Sequence, residues 1–197
     1  MIRCIDNFLP ENVARNLSQQ FFSDPNWGYG WNMEQGRNKE TNNWNWHRSI
    51  GGDTVYGNIE TKDVPRYMVP LYTRVKLELE NIIPANHLIE RMYSNSHTYG
   101  VDGPCHRDDG VYTVLYYPCE DWDIQWDGGT MFYNEEEDDT IEYAAYKFNR
   151  AVIFDARIPH KAMPVSRDCY RLRTSIVFKT NIDANDPAYA KWFYENQ

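Results

Sequence analysis

The chain has 197 residues, 42% of them hydrophobic and 25% charged, which suits one soluble domain with a single core and is short for two. Its 20 Lys and Arg against 29 Asp and Glu leave a net charge of −9, so a nucleic-acid polyanion meets repulsion rather than a basic stripe. The longest apolar runs, such as residues 151–154, fall far short of the ~20 residues that a membrane span requires, so no membrane segment is expected.

The first residues show no apolar leader, and Cys4, Cys105, Cys119 and Cys169 lie without C-x-x-C spacing; a cytoplasmic protein with reduced thiols is the expectation. Ile2 to Phe8 reads as a short strand. Pro10 suits a first helical position, Val13, Leu17 and Phe21 form one apolar stripe, and Asp24-Pro25 ends that helix. Residues 26–60 read as extended segments and loops, because Trp27, Tyr29, Trp31 and Met33 alternate with Gly and Asn, and Trp44 alternates with Trp46. Leu71, Val75 and Leu79 recur at helical spacing, predicting a second helix from Pro65 or Pro70 to about Glu80. The period then changes to two. Short β-rich runs follow at 88–99, 111–118, 129–134, 140–145, 150–155 and 171–180, separated by turn residues.

Strands that dense, with helices gathered at one end of the sequence, predict a mainly β fold with supporting helices (α+β): a jelly roll or barrel with the helices on one sheet. The expected layout is one domain over 1–197, with a strand, helices and loops in 1–87, the β core in 88–180 and a helical tail in 181–197. The acidic run 135–139 reads as a solvated hairpin loop.

Chemistry concentrates in three places. His106 and Asp108 stand two apart beside Gly100, Gly103, Pro104 and Gly110; on an extended segment their side chains point the same way, although a surface ion pair or capped turn explains such a tripeptide equally simply. A buried-looking strand and a turn then deliver His160. Two His and one Asp make the facial set that leaves coordination positions free on ferrous iron. The strand ending Ile176-Val177-Phe178 carries Arg173, and an inward arginine beside a metal requires an anion, for which its rigid fork favours a carboxylate. A diacid cosubstrate meets that requirement. Arg171 is a second candidate on the same strand face; Arg173 is preferred for its deeper place and the Ser175 that follows.

Tyr99-Gly100, His106-x-Asp108, Tyr112-Thr113-x-Leu115-Tyr116-Tyr117, Trp122, Trp126-Asp127-Gly128-Gly129-Thr130, Pro159-His160, Pro164-Val165 and Arg173-x-Ser175 occur in this order. The series resembles the iron(II)/2-oxoglutarate dioxygenases of the prolyl 4-hydroxylase-like branch and covers residues 93–180. The resemblance implies a double-stranded β-helix, with iron on His106, Asp108 and His160 and the distal carboxylate of 2-oxoglutarate on Arg173. It further implies that Tyr117 joins Arg173, and that Asn95 and His97 make polar cosubstrate contacts. The activity implied is hydroxylation of an unactivated C–H bond with O2, 2-oxoglutarate passing to succinate. The substrate is a prolyl group, another amino acid or a small metabolite; Asp108 favours hydroxylation over halogenation.

The remaining features are read more plainly. His47 and His87 are expected at the surface or as caps, Cys105 as a packing thiol, and Gly128-Gly129 as a tight strand entry. His106-Arg107-Asp108 is also the tripeptide of a kinase catalytic loop, but no Gly-rich loop and strand lysine precede it. The Trp-rich segment 26–50 is read as a lid over the iron. The competing reading is a non-catalytic jelly-roll binding module for a saccharide or protein, with Trp27, Trp31, Trp44 and Trp46 as its recognition surface.

Overall fold

The computed structural model describes residues 1–31, 45–51, 58–101 and 103–195. Its strands are β1 (Ile2–Ile5), β2 (Gly28–Trp31), β3 (Asn45–Gly51), β4 (His87–His97), β5 (Tyr112–Tyr117), β6 (Thr130–Tyr133), β7 (Thr140–Ala144), β8 (Arg150–Asp155), β9 (His160–Ala162) and β10 (Arg173–Ile182). Three helices join them: α1 (Glu11–Ser23), α2 (Val69–Ile82) and α3 (Pro187–Glu195). Seven strands pair in the order β1-β8-β5-β10-β4-β3-β2 and three in the order β7-β6-β9, every described pair antiparallel. The fold is a jelly roll: a large sheet with helices outside and a small sheet across its other face.

Local sequence explains the helices. Pro10 stands just before α1 rather than inside it, and Asp24 is extended ahead of Pro25. Leu17 and Phe21 of the expected stripe are fully buried, while Val13 is half-buried. In α2 the stripe Leu71, Val75 and Leu79 is fully buried. Both stripes meet Met92, Val114, Tyr116, Ile153, Ile176 and Phe178 on one face of the large sheet. Leu115, Tyr117, Phe132, Tyr146, Val152, Phe154 and Val177 fill the space between the sheets. The interior strands β8, β5 and β10 are therefore covered on both faces, which is why residues 151–154 of β8 read as an unbroken apolar run.

Four expectations are revised. His106 and Asp108 do not lie on a regular strand: His106 makes one isolated bridge with His160, and the Asp108 N–H donates to the Ala156 carbonyl at 2.8 Å. The three-residue strand β9 was hidden in what read as a turn ending at His160. The large sheet recruits β2 and β3 from residues 1–87 and β10 continues past 180, so the expected 88–180 segment does not enclose the sheet. His87 is fully buried rather than at the surface, its Nε2 3.1 Å from the Ile83 carbonyl at the end of α2, so of the two expected roles only capping fits.

The Trp-rich segment divides. Trp27 packs edge-on against Phe21, with ring centroids 5.4 Å apart, and belongs to the helix-side core. Trp46 pairs with Ser96 across β3 and β4, and strand alternation puts both on the face opposite Asn95 and His97. Neither residue covers the space between the sheets. Trp44 and the Trp31 side chain lie outside the described residues.

Candidate metal centre

The bridge between His106 and His160 brings two imidazoles from distant parts of the chain to a centroid separation of 4.3 Å. Each ring is fixed in the same way. His106 Nδ1 lies 2.9 Å from the Pro104 carbonyl and His160 Nδ1 lies 2.9 Å from the Ile158 carbonyl. A carbonyl only accepts, so each Nδ1 carries the proton and each Nε2 presents a lone pair. Those lone pairs face Asp108: His106 Nε2 is 3.4 Å from Oδ1 and His160 Nε2 is 3.4 Å from Oδ2. Burial lowers the pKa of His160 and thereby favours its neutral form. Burial would raise the Asp108 carboxyl, but the groups gathered around it, the Lys179 ammonium among them, outweigh burial and hold it well below the usual carboxylate range.

Thus three acceptor groups converge, with their ligand atoms all within 4.8 Å of one another. Two imidazole lone pairs facing a carboxylate are the deprotonated donors that a metal cation requires. A nitrogen, nitrogen, oxygen set on one side of a small cavity fits ferrous iron with positions left for other ligands. The two carbonyls that fix the rings are the outer partners that metal-binding histidines require.

The same cavity is lined by Asn45, Tyr93, Asn95, His97, Thr130, Arg173, Ser175 and Lys179. Arg173, 3% exposed, is held at four points. Its Nε donates to the Gly128 carbonyl at 2.8 Å, Nη2 to the Gly129 carbonyl and Thr130 Oγ1 at 3.3 Å each, and Nη1 to Ser175 Oγ at 3.3 Å. The glycine pair serves that grip. Gly128 has φ +77°, and a Cβ there would stand 2.9 Å from Val165 Cγ1 and 3.1 Å from Arg173 Cγ. Arg171 lies outside β10, more than a third exposed and ion-paired with Asp121, so the two arginines do not share a strand face.

Tyr117 is fully buried behind Arg173 and does not line the cavity. Its hydroxyl is 2.8 Å from Thr130 Oγ1, and the Arg173 guanidinium carbon is 5.7 Å from its ring centroid. His97 faces Arg173 across β4 and β10, with Nε2 3.3 Å from the Met163 carbonyl; burial, with Arg173 adding to it, lowers its pKa to about 3 and leaves it neutral. The Asn95 Oδ1 accepts from His47 Nδ1 at 2.9 Å. Asp109 turns outward to pair with Arg91. The acidic 135–139 loop joins β6 and β7 and has a basic partner within the chain: Arg107 donates to Glu137 and to the Glu135 carbonyl, both at 2.5 Å.

Residues 92–178 match the family model described as the 2OG-Fe(II) oxygenase superfamily. The protein carries a 2OG-Fe(II) oxygenase domain. It is an oxygenase enzyme that depends on ferrous iron, 2-oxoglutarate and O2, with a prolyl hydroxylase-like fold. No curated protein matches it in sequence. Among solved structures, a Trichoplax adhaerens prolyl hydroxylase in complex with a hypoxia inducible factor peptide fragment aligns at TM-score 0.66 and 18% identity, over 96% of this chain and 86% of its own. A Pseudomonas putida prolyl-4-hydroxylase gives 0.61 and 14% over 92% of each chain. A viral collagen prolyl hydroxylase from Paramecium Bursaria Chlorella virus-1 gives 0.58 and 12%, over 92% of this chain and 96% of its own.

Sequence reasoning missed Lys179 and Thr113. Lys179 is buried with its Nζ against Asp108 Oδ2, and Thr113 Oγ1 donates to the same oxygen at 2.6 Å. Carrying the alternation of Arg173 and Ser175 two steps further along the strand reaches Lys179. Asn45, whose buried Oδ1 has no hydrogen-bond partner, was also missed, and nothing in its local sequence marks it.

Proposed function

We propose that this oxygenase is a hydroxylase that binds iron through His106 Nε2, His160 Nε2 and Asp108 and receives the distal carboxylate of 2-oxoglutarate at Arg173. Its target is an unactivated C–H bond of a prolyl group, another amino acid or a small metabolite. The observation that carries this reading is the convergence of three acceptor groups whose protons have been assigned elsewhere. When bound, iron and 2-oxoglutarate supply the oxidising chemistry, coupling decarboxylation to succinate with transfer of one oxygen atom from O2 to the substrate.

The chain's own residues hold and orient. Pro104 and Ile158 carbonyls keep both imidazoles in the ligating tautomer, and Thr113 and Lys179 fix the carboxylate between them. Arg173 is already clamped by backbone carbonyls, so its fork loses little freedom on meeting a carboxylate. Tyr117 acts through Arg173, as a ring behind the guanidinium and a hydroxyl on Thr130. His97, being neutral, adds no positive charge beside Arg173, and Asn95 is orientated by His47.

Adding Mn(II) with 2-oxoglutarate to the purified protein tests the reading, because ligands that bind only the native state raise its melting temperature. The expected result is a larger shift for the pair than for either alone. No shift at millimolar concentrations of both would overturn the assignment.

A further inference from the structure

Charge is unbalanced in this cavity. Among the described residues that line it, Arg173 and Lys179 are cations, 3% and 4% exposed, and Asp108 is the single carboxylate. His97 is neutral, and the ligating histidines must be neutral to bind a metal. In the protein alone, Lys179 is matched by Asp108, and Arg173 rests on carbonyls and hydroxyls. Ferrous iron adds two positive charges and takes a share of Asp108. The two carboxylates of 2-oxoglutarate offset two. With Lys179 counted as its ammonium, one positive charge is left over, in a space where an unmatched charge is costly.

We propose that the substrate is itself an anion, a small carboxylic acid, and that Lys179 receives its carboxylate beside the metal. The inference rests on the iron and 2-oxoglutarate assignment above and narrows its substrate class: a free acid meets the requirement, whereas an internal residue of a neutral peptide does not. Arg173 is already given to the cosubstrate. Lys179 stands six residues further along the same strand on the same face, with its Nζ against Asp108 and 3.3 Å from Thr113 Oγ1. An ammonium suits this role better than a guanidinium, because a point charge on a flexible stem can turn from Asp108 toward an arriving anion.

The test uses acetate and its neutral isostere acetamide as probes, titrated onto protein saturated with Mn(II) and 2-oxoglutarate at constant ionic strength and read by melting temperature and tryptophan fluorescence. Acetate is expected to bind saturably and at least tenfold more tightly than acetamide. Lys179→Met should lose that preference, and Lys179→Arg, which keeps the charge, should retain it even if Lys179→Met folds poorly. Equal responses to the two probes, or an unchanged acetate preference in Lys179→Met, would overturn the inference. Absence of any response to Mn(II) with 2-oxoglutarate would instead bring down the assignment beneath it, so the two failures are separable.

Discussion

The two faces of β10 do opposite work within one strand. Ile176 and Phe178 point to the helices and join α1 and α2 in an apolar core, with Thr174 and Thr180 on the same side. Arg173, Ser175 and Lys179 point between the sheets, equally buried, and line the candidate metal centre. Burial is therefore similar while chemistry is not. On the helix face each buried group is matched by dispersion contacts and needs no partner outside the chain. On the other face Lys179 pairs with Asp108, while Arg173 rests on carbonyls and hydroxyls with no carboxylate beside it in the cavity. A strand covered on both sides thus separates stability from binding by the period of two alone.

Substitutions on the two faces should separate in the same way. The largest effect is expected from His106→Ala, His160→Ala or Asp108→Ala, each reducing iron-dependent succinate release to background because the three ligands act as a unit. Asp108→Ala should also lower the melting temperature, since it leaves Lys179 buried without its carboxylate. Near-normal turnover in any one variant would remove that residue from the metal shell. On the opposite face, Phe178→Ala should cost about 3–5 kcal/mol in denaturant unfolding, while 2-oxoglutarate affinity measured on the folded protein stays unchanged.

Arg173→Leu should do the reverse. It is expected to weaken 2-oxoglutarate binding by about 2–5 kcal/mol with a much smaller effect on Mn(II), titrated by fluorescence quenching. Arg171→Leu, on the exposed pair with Asp121, should change cosubstrate affinity little. A larger loss at 171 than at 173 would place the cosubstrate elsewhere. The smallest effect belongs to Tyr117→Phe, which removes one hydrogen bond to Thr130 and should weaken 2-oxoglutarate binding by about 0.5–1.5 kcal/mol. A loss as large as that of Arg173→Leu would mean that the hydroxyl touches the ligand directly.

Much of this was legible because local rules carried it. Helix stripes at 17 and 21 and at 71, 75 and 79, and strand runs bounded by turns, depend on periodicity, and periodicity survives folding. Of the residues that meet at the candidate centre, residue type and order point to His106, Asp108, His160 and Arg173 but not to Lys179, Thr113 or Asn45. Their means of meeting was not legible. His106 and Asp108 were placed on an extended segment beside turns, yet a single bridge and one hydrogen bond to Ala156 hold them, and such pairing depends on a segment some fifty residues away. Within the Trp-rich segment, Trp27 did not announce its place, because an aromatic residue reads alike whether it packs under a sheet, as Trp27 does, or stands over a site.

By itself, the sequence pattern determined a mainly β fold, jelly roll or barrel, with the positions of the long elements and the ligand types, because hydrophobic period and side-chain chemistry are properties of neighbours along the chain. Only the tertiary structure decided which buried charges share one cavity. Asp108 and Lys179 are far apart in sequence and neither carries a local signal of the other. They form a pair because β5 and β10 are adjacent in the large sheet, which brings Thr113 and Lys179 side by side under the loop that holds Asp108. Arg173 is buried in the cavity rather than held in an exposed ion pair for a similar reason: the backbone turn at Gly128 and Gly129 offers it carbonyls, in a conformation and at a closeness that a Cβ at Gly128 would strain.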